Sequence, residues 1–589
     1  MRQFKSCIEI RGDSVDDLKY IYKYLLKFPK ELITTILLVV VETVFELIIP
    51  FLMKDIIDEG ITNGDMNQIL ISGALIIGCA IVSLITGHFY SRFNAKLITN
   101  FSYSLREDAF TKIQTYSFAN LDHFKTESLV TRVTNDVTIL QNTCGTIRPI
   151  CRAPLMMLMG VGLSFAMAPK IAWIFIVFIP FLAVILFFIV KKTAKQYSVL
   201  QENVDGLNQI VRENVTAIRT VKAYVREEHE EMKFNEANTK VVKTTKHTFH
   251  IAQLNQPSVQ FVLYGITVLI LAFGSRLVHN NELKVGSLSA LLSYILQVVN
   301  SLMMISNVFL MINRGFASCK RLREVLEEEP DIKSSDKSYK VLDGSIDFNH
   351  VYFKYNKAAS EYALEDIELH IKKGETIGIL GGTGSAKSTL ISLIARLYDV
   401  TEGSLCIDNK DVRDYDLVNL RDSIAVVLQN NVLFSGSVRD NLRYGDDNAS
   451  DEEMLEACRI ACADEFITRL PSGLDYDLGQ GGVNLSGGQK QRLCIARALL
   501  KKPKVLILDD STSACDMETE RKIVSGIRKL EGVTSIIIAQ RISSVDKANR
   551  IIILDDGKIN DIGTHDELLT RNKIYQDLYK AQVGGKQNG

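Results

Sequence analysis

The chain has 589 residues, of which 47% are hydrophobic and 23% charged, and its formal net charge is −1. This balance excludes a disordered or fibrous chain, and no basic excess indicates a nucleic-acid partner. Ten cysteines without a CxxC pair exclude a disulfide scaffold in a chain of this length. Long apolar runs are confined to the first half and a soluble α/β pattern fills the second, so a purely soluble enzyme is excluded too.

Six segments of the first half are long and apolar enough to cross about 30 Å of hydrocarbon. They cover residues 32–53, 69–89, 149–169, 171–190, 257–277 and 286–313. Each should be helical, because a spanning segment must satisfy its own backbone hydrogen bonds. Residues 1–31 form a lead in which the amphipathic stretch 14–28 predicts an interfacial helix, and residues 32–314 form the predicted membrane domain.

The distribution of positive charge predicts the orientation. The lead carries seven Lys and Arg residues, whereas the loop after the first span is mostly acidic, so the lead is predicted to be cytoplasmic. Six crossings return the chain to the same side, which makes the second half cytoplasmic as well. The two inside connections, about 90–148 and 191–256, predict helical hairpins that extend roughly 40 Å into the cytosol.

Charged side chains inside a span are costly and usually face a cavity or a partner. Glu42 and Glu46 lie one helical turn apart in the first span, and Arg148 and Arg152 have the same spacing at the start of the third. Two interpretations stay open: the four side chains line a substrate path, or they pair with one another. Gln297 in the last span is a weaker candidate of the same kind.

The second half begins after a polar, charged stretch at 315–344, which is the predicted linker. In residues 345–580 short β-rich runs alternate with helical runs, a pattern typical of a parallel sheet with crossover helices. Residues 581–589 are left as a tail.

The run TIGILGGTGSAKST at 376–389 indicates a phosphate-binding loop, because an apolar strand ends in it and a helix begins within it. Backbone N–H groups of such a turn face phosphates, Lys387 would add a charge at the β- and γ-phosphates, and Ser388 would ligate Mg²⁺. The predicted nucleotide contacts of this loop are Gly381, Gly382, Thr383, Gly384, Ser385, Ala386, Lys387, Ser388 and Thr389.

A second apolar strand, 505–508, ends in Asp509 and Asp510. The first aspartate at such a strand end typically holds the Mg²⁺ shell, and the following carboxylate orients or activates the attacking water. Between the two motifs lies LSGGQ at 485–489, which on its own predicts a loop entering a helix with a serine cap.

With these motifs in place, residues 341–580 resemble the ATPase domain of ABC transporters, and the whole chain resembles an exporter half-transporter. The family's signature is Leu485, Ser486, Gly487, Gly488 and Gln489. The resemblance implies an α-helical six-span membrane domain with long cytoplasmic helical hairpins, followed by an α/β P-loop ATPase domain of the ABC type. It also implies ATP and Mg²⁺ as cofactors, and a second half-transporter that shares two sandwiched ATP molecules.

Other positions follow from the resemblance one at a time. Tyr355 matches the aromatic residue that stacks on adenine, Gln429 the glutamine that senses Mg²⁺, and Asp516 the aspartate of the D-loop. The coupling arms of the family place transverse helices near residues 118–124 and 225–231.

Three positions depart from the family's pattern within one ATP site. Ala386 replaces the glycine before the lysine, Asp510 a catalytic glutamate, and Gln540 a switch histidine. A Cβ at position 386 costs about 1 kcal/mol if that residue needs a positive φ. Aspartate is one methylene shorter than glutamate, which moves its carboxylate roughly 1.5 Å from the attacking water, and glutamine supplies no imidazole.

These departures predict a site that binds ATP and hydrolyses it poorly, while the intact signature completes the site of a partner in a heterodimer. The resemblance implies ATP-driven export of a small hydrophobic or amphipathic compound (drug, lipid or peptide, as in multidrug efflux) across the plasma membrane. The lipid bilayer is then a further partner and nucleic acid is not. Two alternatives stay open: a homodimeric exporter with slow ATPase activity, and an ATP-gated regulatory membrane protein.

Overall fold

The computed structural model describes residues 19–356 and 359–584. Most of the lead therefore lies outside the described residues; of the interfacial helix expected at 14–28, residues 19–25 are helical. The chain divides into two compact units. The first contains Met1–Gln114 and Thr126–Glu328, and the second contains Thr115–Lys125 and Glu329–Gly589.

Long helices joined by short turns make up the first unit. In chain order, including one short helix of the second unit, the helices are α1 (Pro29–Asp55), α2 (Met66–Gln114), α3 (Phe118–His123), α4 (Thr126–Thr131), α5 (Val137–Cys144), α6 (Ile147–Met167), α7 (Pro169–Thr216), α8 (Ile218–Ala223), α9 (Glu227–Ala252), α10 (Asn255–His279) and α11 (Val285–Glu327). Among the described residues, six helical stretches are long and apolar enough to cross a membrane, and each overlaps one predicted span.

Several helices run well past the apolar segments. Helices α2 and α7 have 49 and 48 residues, so each is about 70 Å long at 1.5 Å per residue, more than twice the length that a span requires. Helix α11 continues to Glu327, so the first part of the stretch expected as a linker is helical. Its buried side chains Leu322 and Val325 keep a helical spacing there, which explains why the helix does not stop.

The expected transverse helices have two different outcomes. Helix α3 lies at the first position. The expectation of a helix at 225–231 is wrong: Val225 has a φ of +53° in a turn, and Glu227 already begins the long helix α9. The short helix of this arm is α8, which ends before the turn.

Two sheets form the frame of the second unit. Their strands are β1 (Ile346–Phe353), β2 (Leu364–Ile371), β3 (Thr376–Gly381), β4 (Glu402–Ile407), β5 (Lys410–Asp411), β6 (Ile424–Val427), β7 (Val505–Asp509), β8 (Thr534–Ile538), β9 (Arg550–Asp555) and β10 (Lys558–Gly563). The four-stranded sheet has the order β2-β1-β4-β5 and is antiparallel, and the six-stranded sheet has the order β10-β9-β3-β8-β7-β6. In the larger sheet β6, β7, β8, β3 and β9 run parallel, so their carboxyl ends lie along one edge.

Helices cover the larger sheet. They are α12 (Lys387–Ile394), α13 (Leu417–Asp422), α14 (Val438–Arg443), α15 (Asp451–Ile460), α16 (Asp464–Ile467), α17 (Gly487–Leu500), α18 (Met517–Ile527), α19 (His565–Arg571) and α20 (Lys573–Gly584). Strands β7 and β8 are buried at every residue, as expected for a parallel sheet covered on both faces. Helix α20 extends to residue 584, so the segment expected as a tail begins inside a helix.

Candidate functional site

The predicted phosphate-binding loop lines a cavity of about 640 Å³ at the carboxyl edge of the larger sheet. The loop leaves β3, which is buried up to its last residue, and enters α12. All nine loop residues predicted to contact nucleotide line the cavity. The other predicted residues that line it are Tyr355, Gln429, Asp509, Asp510 and Gln540.

Ala386 is the last residue of the loop before α12, with a φ of +67° and a ψ of +26°. The left-handed conformation turns the chain from the loop into the helix, and it costs a residue with a Cβ about 1 kcal/mol more than glycine. The loop also uses this region at Gly384, whose φ is +85°. Because residue 386 has a positive φ, alanine is less favourable than glycine at this position, as expected from the sequence.

Lys387 folds back over the loop. Its Nζ donates to the carbonyl oxygens of Gly381 at 3.1 Å and Gly382 at 2.6 Å, and to the hydroxyl of Ser385 at 3.2 Å. Burial lowers the pKa of the Lys387 ammonium, and the carboxylates at the end of β7 partly oppose that shift. These acceptors are neutral oxygens, which phosphate oxygens can replace with stronger, charge-assisted bonds.

Asp509 ends strand β7 and is only 5% exposed. Burial raises the pKa of Asp509, and the nearby Ser388 hydroxyl partly opposes that shift. These two oxygen ligands fit Mg²⁺, which is bound by few protein groups together with phosphates and water. Within 19–356 and 359–584 no group of three or more His, Cys, Asp or Glu residues could hold a metal ion without such help.

Asp510, the residue after β7, has a φ of +46°. The Nε2 atom of Gln540 donates to its Oδ2 at 2.8 Å. Burial and the neighbouring charge of Asp509 raise the pKa of Asp510, and both glutamines at the site, Gln429 and Gln540, partly oppose that shift because they favour the charged form of the carboxylate. The neutral amide of Gln540 thus occupies the carboxylate that a catalytic base would use toward water.

Tyr355 presents a ring that is 54% exposed to the cavity. Its hydroxyl lies 2.9 Å from the Thr389 hydroxyl. The rings of Phe353 and Tyr398 pack against it edge to face, with centroids at 4.9 and 5.2 Å. These contacts fix the ring at the cavity wall, where it can stack on a flat base.

The LSGGQ segment forms the start of helix α17. The Ser486 hydroxyl accepts from the Gln489 N–H, and the Gln489 Oε1 accepts from the Ser486 N–H at 2.8 Å, which is a complete capping box. A Cβ at Gly488 would lie 2.8 Å from the carbonyl oxygen of Ala514, so this position needs glycine. None of the described residues lining the cavity belongs to the signature.

Asp516 is not brought to the cavity either. Its carboxylate caps α18 by accepting from the N–H groups of Glu518 and Thr519 and from the Thr519 hydroxyl at 2.7 Å. The bond from the Thr519 N–H is the main reason why the pKa of Asp516 is lowered. Its local contacts are those of a helix cap.

Sequence reasoning missed Glu520, a buried carboxylate next to the site. It accepts hydrogen bonds from Thr512 at 2.7 Å, Ser544 at 2.5 Å and Arg541 at 3.2 Å. It thereby ties the loop after β7 to the loop after β8, which carries Gln540. The partners lie 8 to 24 residues away along the chain, so no local pattern marks this glutamate.

The charged residues of the first and third spans form two ion pairs. Arg148 pairs with Glu42, and the Arg152 Nη2 lies 2.6 Å from the carboxylate of Glu46. The Arg148 guanidinium also lies 5.3 Å from the ring centroid of Tyr90. Gln297 keeps a buried side-chain oxygen without a protein partner. Both glutamates are therefore paired with arginines of the same unit, as the second interpretation expects.

Comparison with known proteins places these observations in a family. Residues 32–302 match the model of the ABC transporter transmembrane region, and residues 364–513 match that of the ABC transporter. The chain is 38% identical over 550 residues to YfiB of Bacillus subtilis (strain 168), an uncharacterised ABC transporter ATP-binding protein, with 93% of this chain and 96% of that protein covered. It is 35% identical over 569 residues to an uncharacterised ABC transporter ATP-binding protein of Mycobacterium tuberculosis (strain CDC 1551 / Oshkosh), with the same coverage.

A solved structure has the same fold. It is titled as a bacterial Atm1-family ABC exporter with ATP bound, and it superposes with a TM-score of 0.79 at 22% identity, covering 94% of this chain and 98% of that one. The predicted fold class, six apolar helices followed by a nucleotide-binding domain, is confirmed. The chain belongs to the ABC transporter family, with its transmembrane and ATPase domains in one polypeptide.

Proposed function

We propose that the chain exports a hydrophobic or amphipathic compound across the plasma membrane as one half of a dimeric ABC exporter, with its ATPase domain in the cytoplasm. The cavity lined by the phosphate-binding loop and Tyr355 supports ATP as the nucleotide. When bound, MgATP supplies the phosphoanhydride whose binding and cleavage drive the change between inward-open and outward-open states.

Different residues of the chain bind different parts of MgATP. The Lys387 ammonium exchanges the carbonyl oxygens of its own loop for phosphate oxygens, and the loop N–H groups bind the same phosphates. Ser388 and Asp509 supply oxygen ligands on the metal side, with Gln429 beside them. Tyr355 holds the base against its ring.

The same site is proposed to hydrolyse ATP poorly. The observation that carries this is the amide bond from Gln540 to the Asp510 carboxylate at 2.8 Å. Aspartate reaches less far than glutamate, and a base misplaced by about 1 Å costs on the order of a hundredfold in rate. Binding contacts are retained, so occupancy by ATP and slow turnover are compatible.

The signature is proposed to serve a second, different half-transporter. It begins helix α17 with a complete capping box formed by Ser486 and Gln489, and it lies outside the cavity formed by its own chain. A partner with a complete catalytic site would then hydrolyse ATP against Ser486. This arrangement is a heterodimer with one efficient site and one that mainly binds.

Assays of nucleotide binding and hydrolysis on the purified full-length chain alone test both the assignment of the ATP site and its slow hydrolysis. We expect it to bind MgATP, to lose that binding in Lys387→Ala, and to release phosphate slowly. Brisk, vanadate-sensitive hydrolysis without a partner would contradict the division between the sites. Failure of the wild-type chain to bind ATP would contradict the assignment of the cavity itself.

A further inference from the structure

Helix α20, the last described helix, is a packed part of the ATPase domain. Tyr575 in its first turn is fully buried in the hydrophobic core of the second unit. The Tyr575 hydroxyl lies 2.5 Å from Nδ1 of His565 in the preceding helix. Leu578 and Tyr579 pack against the same core. The helix is therefore held in place before it reaches residue 582.

Gln582, near the end of this helix, hydrogen-bonds to the backbone on both sides of Arg541. Its Nε2 donates to the carbonyl oxygen of Gln540 at 2.8 Å, and its Oε1 accepts from the N–H of Ile542 at 2.9 Å. One side-chain amide thus pairs with this segment as a neighbouring strand would. The segment needs such support because strand β8 has ended at Ile538.

The backbone held by Gln582 carries the side chain that reaches into the site. Gln540 donates to Asp510 at 2.8 Å, so the two glutamines connect α20 to the carboxylate at the end of β7. Leu578 lies one helical turn before Gln582, on the same face of α20, and lines the nucleotide cavity itself. The helix therefore contacts the site directly through Leu578 and indirectly through Gln582, which holds the backbone of Gln540.

We propose that Gln582 is a positioning residue for the γ-phosphate end of the ATP site. By fixing the backbone of Gln540, it keeps the Gln540 amide within reach of Asp510 and of a bound γ-phosphate. This proposal rests on the proposed function, in which the cavity binds ATP. Because ADP has no γ-phosphate, Gln582 contributes to the affinity for ATP and not to the affinity for ADP.

Two variants of the full-length chain test this. Gln582→Met keeps the length and the apolar stem but removes the donor and the acceptor. Gln582→Glu keeps an acceptor for the Ile542 N–H but turns a second oxygen toward the Gln540 carbonyl. We expect the dissociation constant of MgATP to rise about fivefold in Gln582→Met and further in Gln582→Glu, because the Gln540 backbone is no longer held by Gln582. The dissociation constant of MgADP should not change in either variant.

Gln576→Met is the matched control. Gln576 lies on the same helix, and its side chain donates to the carbonyl oxygen of Thr570 at 3.1 Å instead of to the loop after β8. We expect wild-type affinity for both nucleotides. Hydrogen exchange without nucleotide gives a second measurement: the Ile542 amide should exchange faster in Gln582→Met and not in Gln576→Met.

Equal weakening of ATP and ADP binding in Gln582→Met would show a merely structural role and overturn the proposal. Unchanged affinity for ATP, or unchanged exchange of the Ile542 amide, would overturn it as well. If the wild-type chain binds neither nucleotide, the proposed function fails first, and this inference fails with it.

Discussion

The Asp510 carboxylate accepts from the side-chain amide of Gln540, where a histidine is usual in the family. We predict that the double variant Asp510→Glu/Gln540→His raises ATP hydrolysis by the chain alone about ten- to hundredfold, because the carboxylate regains its reach toward water. Phosphate release at saturating MgATP measures this. Asp510→Asn is the control and should lower the residual rate; an unchanged rate in the double variant would contradict the poor alignment of this site.

Ala386 is strained by its left-handed backbone, with a φ of +67°. Ala386→Gly should therefore stabilise the chain by about 1 kcal/mol, less the greater freedom that glycine gives the unfolded state. The midpoint of the thermal unfolding transition of the second unit measures the difference in stability. Ala496→Gly is a control inside helix α17, where the same replacement should destabilise by about 1 kcal/mol or more. A loss of stability in Ala386→Gly would contradict the strain.

The pKa of Lys387 is lowered by burial from the ordinary value of 10.5. Bound phosphates favour the charged ammonium, so ATP affinity is complete below the lowered pKa of the empty site and is lost as the pH rises through it. We predict a decline of ATP affinity that begins at a pH below 10.5. Titration of ATP binding against pH measures it. In Lys387→Ala binding should be weak at every pH and should lack the decline; an alkaline decline that persists in this variant would assign it to another group.

At the scale of elements, the short helix α3 belongs with the second unit. The Tyr398 hydroxyl donates to Asp122 at 2.6 Å, and the Asn120 side chain donates to the Glu329 carbonyl oxygen at 3.0 Å. The pKa of the Tyr398 hydroxyl is raised, chiefly by burial and then by its bond to Asp122. Because Tyr398 also packs on Tyr355, one residue touches both the cavity wall and this helix.

We predict that Tyr398→Phe loosens helix α3. Loss of the hydrogen bond to a carboxylate costs about 1 kcal/mol, so amides of Phe118–His123 should exchange with solvent about fivefold faster. Hydrogen exchange of the full-length chain measures this. Tyr362→Phe is the matched control, because it removes a tyrosine bond to Glu402 elsewhere in the unit. Equal exchange in wild type and Tyr398→Phe would show that the bond does not hold the helix.

The elements that sequence alone predicted well are those with a local signal. Apolar length marks the six membrane helices, and the glycine-rich loop between strand and helix marks the cavity. The short helix α8 was misplaced because its turn at Val225 carries no glycine or proline. Glu520 and Gln582 were missed because their partners lie far along the chain. Pairing of Glu42 with Arg148 stayed one of two alternatives, since helical spacing shows shared faces and not which faces meet.

At the scale of the whole molecule, the proposed heterodimer gives different roles to the phosphate-binding loop and the LSGGQ signature of this chain. In that proposal the cavity of the chain holds an ATP that turns over slowly, whereas its signature contacts the partner's ATP, which turns over fast. Variants of the two motifs should then differ sharply in the rate of ATP hydrolysis. The rate is measured on the complex purified from native membrane through a tag on this chain. A slow homodimer has identical sites and predicts equal effects.

We predict that Ser486→Ala lowers ATP hydrolysis by that complex at least about tenfold, because the proposed role of the signature places the Ser486 hydroxyl against the partner's ATP, at the start of α17. Asp510→Asn should change the same rate less than about twofold, since most turnover occurs at the other site. Ser450→Ala is the matched control, because Ser450 forms the same capping box on helix α15 outside the signature. Equal losses in Ser486→Ala and Asp510→Asn would favour the homodimer, and an unaffected rate in Ser486→Ala would show that the signature serves no partner.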